Sequence, residues 1–325
     1  MAAMDIVLTT IPLPGEAIKY LENHGFQARM VSDMEEETMA RAVALLCWCM
    51  GDLDLLSMIG KLRGLRAIQT FSAGVDHLPF NAIPPHVAVL SNAGAYSRPV
   101  AEFAWSLVLA LAKGLNGTTP NRSAYISSPY SKPYLIHGKT LMVFGTRGIG
   151  GEAARIGKEG FKMRVIGINR SGAPAPGIDE VHPSTDAPRL AGRADVVIVS
   201  LPLTKETRGI IGRDFLSNMK DESILVNVGR GEVIVEEDLY EELKRRPGIR
   251  FGTDVWWNYG SGESVMKTKT GLHSLPNVLG TPHIAGGATY SDEVSREVIM
   301  SAVTNVVKFL EGRDARNLVN RSEYV

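Results

Sequence analysis

The chain has 325 residues, 44% apolar and 22% charged, with 35 Lys plus Arg balancing 35 Asp plus Glu. That length allows two ordinary domains, each able to bury its own core without disulfide or metal support, and argues against a single small module. The zero formal charge leaves no net field to recruit nucleic acid or an acidic membrane surface.

No run approaches eighteen uncharged apolar residues, so nothing in the pattern spans a membrane. The strand-like Ile6-Val7-Leu8 arrives almost at once, with Asp5 before it and no basic region leading into an apolar core, which argues against a signal peptide. From there to about residue 92, short apolar runs alternate with amphipathic stretches. Ile6 to Leu8, Ala42 to Cys49, Ala67 to Thr70 and Val87 to Leu90 read as strands and predict a parallel sheet of βα units. The two cysteines, Cys47 and Cys49, are expected to be buried, reduced thiols. Their Cys-x-Cys spacing lacks the two-residue spacer of redox and zinc motifs, and no His or Cys cluster completes a metal site, so a cytoplasmic protein with no metal is expected.

Ser97-Arg98-Pro99, a cap residue with proline in the first turn, opens a helix on which Val100, Phe103, Ala104, Leu107, Val108 and Leu111 form one apolar stripe. Asn116 to Pro133, rich in Gly, Thr, Ser, Asn, Pro and Tyr without period, reads as an exposed loop or arm. A second βα series follows, with strands predicted at Thr140 to Phe144, Arg164 to Ile168, Val196 to Ser200, Ile224 to Asn227 and Phe251 to Asp254. Asp292 to Leu310 is helical by pattern, with Val294, Val298, Ile299, Ala302, Val306 and Leu310 on one face. There is no short fixed-period repeat and no low-complexity tract.

The predicted strand Thr140 to Phe144 runs into Gly145-Thr146-Arg147-Gly148-Ile149-Gly150 and then into a helical stretch, the order that sets a pyrophosphate on a helix N-terminus. Gly145 permits the tight turn and Gly150 permits close helix-to-strand packing, but Arg147 stands where the middle glycine of the fingerprint belongs. Its side chain either displaces the backbone from the phosphate or compensates by pairing with it. After the next strand, where an acid would bind the adenosine ribose of NAD, the chain reads Asn169-Arg170-Ser171. A neutral donor, a bidentate cation and a hydroxyl suit a 2′-phosphate better, so NADP(H) is expected over NAD(H), the alternative being an exposed basic turn.

With these elements in view, the chain resembles the D-isomer-specific 2-hydroxyacid dehydrogenase family over nearly its whole length. The carriers are Ser72-Ala73-Gly74-Val75-Asp76, the Asn92 to Glu102 helix entry, the glycine turn, Ser200-Leu201-Pro202-Leu203-Thr204 with Thr207, Asn227-Val228-Gly229-Arg230-Gly231, Asp254-Val255 and Thr281-Pro282-His283. The resemblance implies an α/β fold of two doubly wound parallel-sheet domains, with a Rossmann nucleotide domain (95–283) inserted into a flavodoxin-like substrate domain (1–94 plus 284–325). It implies that Arg230 holds a substrate carboxylate and polarises the adjacent carbonyl, and that His283 is the general acid in reduction and the base in oxidation. Amides around Ala73 and Gly74 would also grip the carboxylate, and Asp254 would face the nicotinamide amide. Gly145, Arg147, Gly148, Ile149, Gly150, Asn169, Arg170, Ser171, Leu201, Pro202, Thr207, Val228, Gly229 and Ala285 would line the cofactor. A homodimer and a small 2-oxo acid substrate of the glyoxylate or hydroxypyruvate kind are implied as well.

One departure bears on catalysis. Where the family has a glutamate that hydrogen-bonds the histidine, this chain has Tyr259, and Glu263 is the nearest acid in the extended segment that follows. A neutral phenol supplies no negative charge, so weaker activity or a reduction optimum shifted to lower pH is expected. Tyr259 and Arg147 also motivate an alternative, a nucleotide-binding regulatory or scaffold protein of the same fold. Formate oxidation would need a glutamine that is absent between Asp254 and His283. Trp256 and Trp257 read as packing, or else as a wall of the substrate pocket.

Overall fold

The computed structural model describes residues 4–33, 39–48, 55–115, 133–258, 268–287 and 291–324. It divides into two compact units, Met1–Tyr96 with Gly287–Val325, and Ser97–Gly286. The expected loop at Asn116 to Pro133 lies outside the described residues except at Pro133.

The first unit contains β1 (Asp5–Thr9), α1 (Gly15–Asn23), β2 (Phe26–Met30), β3 (Ala42–Cys47), α2 (Leu55–Ile59), β4 (Ala67–Thr70) and β5 (Ala88–Leu90). The strands form one parallel sheet in the order β2-β1-β3-β4-β5, a doubly wound order. β3 and β4 are buried at every residue, because a parallel sheet is covered on both faces; β3 meets this with an apolar run, and in β4 buried Gln69 and Thr70 spend their side chains on hydrogen bonds. The period of two divides those runs between two cores: Ile6, Leu8, Leu45 and Ile68 enter one, and Val7, Ala44, Leu46 and Ala67 the other. The second core is closed by Ala302, Val303, Val306 and Val307 of the C-terminal helix, Asp292–Leu310. Each of the three valines contributes about 1.5–3 kcal/mol by leaving water. The Ser291 side chain caps that helix by accepting from the Val294 N–H, and Arg66 donates to the Leu310 carbonyl at its far end.

Cys47 is fully buried in β3 and is disulfide-bonded, which corrects the reduced thiol expected there. The expectation for Cys49 lies outside the described residues.

The second unit contains α3 (Ser97–Ala112), β6 (Thr140–Phe144), α4 (Gly148–Phe161), β7 (Arg164–Asn169), β8 (Glu180–Pro183), α5 (Ala187–Leu190), β9 (Val196–Val199), α6 (Arg213–Leu216), β10 (Ile224–Asn227), α7 (Glu236–Arg245), β11 (Arg250–Thr253) and β12 (Val278–Gly280). The C-terminal helix of the first unit is α8. All seven strands are parallel, in the order β12-β11-β10-β9-β6-β7-β8. The chain therefore winds outward from β6 to β8 and then crosses back to β9. That reversal opens a crevice at the carboxyl ends of β6 and β9, where doubly wound sheets bind ligands. Strands β2 and β8 carry no apolar run, and β12 only the pair Val278-Leu279, too short to mark a strand. They lie at sheet edges, where half-exposed residues such as Gln27, Glu180 and Leu279 suffice.

Candidate active site

The crevice begins with the turn between β6 and α4. Gly145 has φ +89°, in the left-handed region that favours glycine. A Cβ at Gly150 would overlap the Gly145 carbonyl oxygen and come within 2.7 Å of Ser200 Oγ, so only glycine lets α4 start this close to β6. Arg147, with φ −120° and ψ 173°, is in ordinary extended backbone as the N-cap of α4, and the positive φ falls instead on Gly148, at +48°. The turn thus absorbs the arginine by moving its flexible position one residue on. The α4 N-terminus points its unpaired N–H groups and positive dipole end at the crevice, which fits an anionic pyrophosphate.

At the end of β7 the Asn169 side chain is consumed by its own turn. Its Nδ2 donates to Thr146 Oγ1 (3.1 Å) and the Ala173 carbonyl (2.9 Å), and its Oδ1 accepts from the Ser171 and Gly172 N–H groups (3.2 and 2.7 Å). Ser171 Oγ accepts from the Ala173 N–H at 3.3 Å. Arg170 Nε stands 3.0 Å from the Glu206 carboxylate, which belongs to the loop after β9. Glu206 lies inside the Ser200 to Thr207 motif, but nothing local in the sequence signals a partner 36 residues away.

That β9 loop is internally braced. Ser200 Oγ donates to the Phe144 carbonyl at 2.9 Å, tying β9 to β6. Thr207 Oγ1 donates to the Pro202 carbonyl at 2.6 Å and accepts from the Thr204 N–H at 2.8 Å. Leu201 is half-buried and Pro202 exposed.

Arg230 follows β10 and is half-buried. Asn227 shapes its loop, accepting from the Gly229 N–H at 3.0 Å and donating to the Arg230 carbonyl at 2.8 Å, while Arg230 Nη1 donates to the Gly229 carbonyl at 2.9 Å. A Cβ at Gly229 would lie 2.5 Å from the Leu201 carbonyl oxygen, and one at Gly231 2.5 Å from that of Trp256. Two glycines jammed against neighbouring backbone therefore fix the base of Arg230. Val228 beside them is buried.

Asp254 leaves the end of β11 and is 1% exposed. Its Oδ1 accepts from Thr281 Oγ1 (2.6 Å) and the Ile284 N–H (2.9 Å), and its Oδ2 accepts from the Ala285 N–H (2.8 Å). These three bonds bracket exposed His283, which has φ +58°, a left-handed conformation costing a non-glycine residue about 1–3 kcal/mol. The carboxylate holds the histidine turn in that shape. Beneath it, Trp256 is fully buried and its Nε1 donates to the Thr281 carbonyl at 2.9 Å, and a Cβ at Gly280 would overlap its ring. Trp257 Nε1 donates to the Ile234 carbonyl at 2.6 Å. Both indoles are spent on packing. Tyr259 and Glu263 lie outside the described residues.

In the first unit, Ala73 and Gly74 form the loop after β4. The Phe71 carbonyl before them accepts from Tyr96 Oη (3.0 Å) and Asn92 Nδ2 (3.2 Å), and Ser72 Oγ donates to the Gly74 carbonyl (2.8 Å). Tyr96 is the brace that the sequence did not reveal; burial holds its phenol protonated far beyond neutral pH. Among the described residues, no group of three His, Cys, Asp or Glu could hold a metal, and no helix is long and apolar enough to cross a membrane.

A doubly wound parallel sheet with a glycine turn at its switch point, and with arginine, aspartate and histidine on neighbouring strand ends, defines a Rossmann-type α/β protein. The chain belongs to the D-isomer specific 2-hydroxyacid dehydrogenase family, whose NAD binding domain matches residues 105–285. It is 31% identical to a D-3-phosphoglycerate dehydrogenase of Methanocaldococcus jannaschii over 97% of this chain, and spans 59% of that relative's length. A glyoxylate/hydroxypyruvate reductase B of Salmonella newport is 29% identical, with 95% of each chain covered. A D-isomer specific 2-hydroxyacid dehydrogenase from Xanthobacter autotrophicus, solved with NADPH and MES, has the same fold with a TM-score of 0.76 at 23% identity, all of both chains being covered.

Proposed function

We propose that the chain is a D-2-hydroxyacid dehydrogenase that reduces a short 2-oxo acid such as glyoxylate or hydroxypyruvate and prefers NADP(H) to NAD(H). The observation that carries this reading is the combination of Arg230, fixed between two obligatory glycines after β10, with His283 after β12, whose turn is held by buried Asp254 at the end of the intervening β11. The glycine turn fits a dinucleotide, since no side chain intrudes at Gly145 or Gly150 and the α4 N-terminus faces the crevice.

A bound reduced nicotinamide supplies the hydride that adds to the carbonyl carbon. Arg230 orients the substrate by pairing its carboxylate with a planar guanidinium and draws electron density toward the carbonyl oxygen. His283 delivers the proton that the oxygen takes up as the carbon is reduced, giving the 2-hydroxy acid, and is reprotonated from solvent. In oxidation the proton returns to His283. Residues 95–283 serve as the nucleotide domain and residues 1–94 with 284–325 as the substrate domain, Ala73 and Gly74 contributing amides. The preference for NADP(H) rests on the absence of an acid at Asn169-Arg170-Ser171.

Oxidation of NADPH and NADH with a panel of 2-oxo acids, from about pH 5 to about pH 8, tests the reading. Turnover with NADPH favoured is expected, and His283→Ala should lower kcat about a hundredfold or more while leaving dinucleotide affinity intact. Tight NADPH binding without turnover of any acid would instead favour a non-catalytic regulatory or scaffold protein, for which Tyr259 in place of the family's glutamate is the motive. Sedimentation would test the proposed homodimer.

A further inference from the structure

We propose that Glu206 is a specificity-determining residue for the cofactor: from the loop after β9 it supplies the acid that the end of β7 lacks, and it competes with a 2′-phosphate for Arg170. The inference rests on the dinucleotide reading above.

The geometry begins with the sheet order. β7 and β9 lie on opposite sides of β6, so their ends are two strand spacings apart, about 10 Å. The Arg170–Glu206 pair, at 3.0 Å, therefore spans the crest above the Gly145 turn. With a pyrophosphate on the α4 N-terminus, the adenosine ribose reaches the end of β7, beside this pair. Asn169, the residue at the family-type acid position, cannot grip the ribose in its place, because its amide already makes four bonds within its own turn. Glu206 is not a wandering tip: Thr204, Thr207 and Pro202 bond around it, and the Arg208 N–H donates to the Thr204 carbonyl at 3.1 Å.

The chemistry then separates the two cofactors. A ribose with a free 2′-hydroxyl offers O–H donors that a carboxylate accepts, and Arg170 can stay paired with Glu206. A 2′-phosphate is a near-dianion that needs Arg170 for itself and must take it from Glu206 while standing next to that carboxylate. Both side chains are 65% exposed, so their mutual attraction in water is weak and a ligand can open it. The repulsion remains: a dianion and a carboxylate about 6 Å apart weaken binding about tenfold in pure water, and about threefold once physiological salt screens them. Glu206 thus tempers the preference that Arg170 creates, and the chain should use both cofactors.

Fluorescence titration of NADPH and NADH, and calorimetry with 2′-phospho-ADP-ribose and ADP-ribose, would be run on the wild type, Glu206→Gln, Arg170→Gln and the double variant. Glu206→Gln should tighten NADPH about three- to tenfold and loosen NADH, with the gain fading at high salt. Arg170→Gln should turn the preference toward NADH, and in that background Glu206→Gln should still tighten NADPH by a similar factor, since the repulsion remains to be relieved. An NADPH-to-NADH affinity ratio unchanged within about twofold in Glu206→Gln, with both dinucleotides still bound, overturns the role of Glu206. A wild type that binds neither dinucleotide overturns the underlying reading instead.

Discussion

Replacing Asp254 by asparagine tests whether this carboxylate is what holds the His283 turn. Both of its oxygens face a backbone N–H, Oδ1 that of Ile284 and Oδ2 that of Ala285. An amide therefore cannot be rotated to avoid the conflict: whichever way it sits, its NH2 confronts a donor. The variant loses one charge-assisted hydrogen bond, about 1.5–3 kcal/mol, and strands a buried N–H, about 1–3 kcal/mol. A total near 3 kcal/mol should lower the melting temperature of a unit this size by about 6–12 °C. His283, no longer clamped at φ +58°, should relax toward ordinary backbone, so kcat should fall more than dinucleotide affinity. Differential scanning calorimetry and steady-state kinetics on the same preparation would read both effects. A melting shift under about 2 °C with unchanged kcat would refute the argument that the turn depends on Asp254.

Gly150→Ala should abolish detectable NADPH binding, because its Cβ has no space between the Gly145 carbonyl and Ser200; fluorescence titration with circular dichroism would separate lost binding from lost fold. Tyr134 Oη is buried with no hydrogen-bond partner, and burial pushes the phenol well above its usual range, so Tyr134→Phe should be neutral or stabilising by up to about 1 kcal/mol in denaturant unfolding. The Asp179 carboxyl is held below its usual range chiefly by its hydrogen bond from Lys158, with burial opposing and the Val165 N–H assisting. Its folded pKa lies below its unfolded one, so its stabilising contribution is complete above about pH 4 and is lost as the pH falls through the folded value. Melting curves from about pH 2 to about pH 7 should accordingly show less acid sensitivity in Asp179→Asn than in the wild type, and parallel profiles would count against this.

The strands that coincide residue for residue with their sequence patterns, β4, β6 and β10, sit inside their sheets, and α8 matches its pattern from Asp292 to Leu310. Each lies against a core on the face that its apolar residues mark, so period and composition carry the information locally. Among the described strands four are edges held by one neighbour: β5 still carries its apolar run, whereas β2, β8 and the three-residue β12 leave little such mark. At the candidate site the residue types were legible and their employment was not. Asp254 reads as a cofactor contact, and its carboxylate also accepts from Thr281, Ile284 and Ala285, a task that nothing local announces. Asn169 read as a phosphate donor, yet it closes its own turn.

What the sequence by itself determined is the succession of βα units, the glycine turn that only a close-packed helix start requires, and the arginine and histidine that follow strand-like runs. These are properties of neighbouring residues: side-chain periodicity, the φ freedom of glycine and the burial of apolar runs. What only the tertiary structure decided is which strand ends stand side by side, and so that Glu206 meets Arg170 across β6 and that Asp254, at the end of β11, meets the His283 turn at the end of neighbouring β12. Strand order comes from the packing of whole units against each other, and an acid in one loop carries no local trace of the cation or amide it will face.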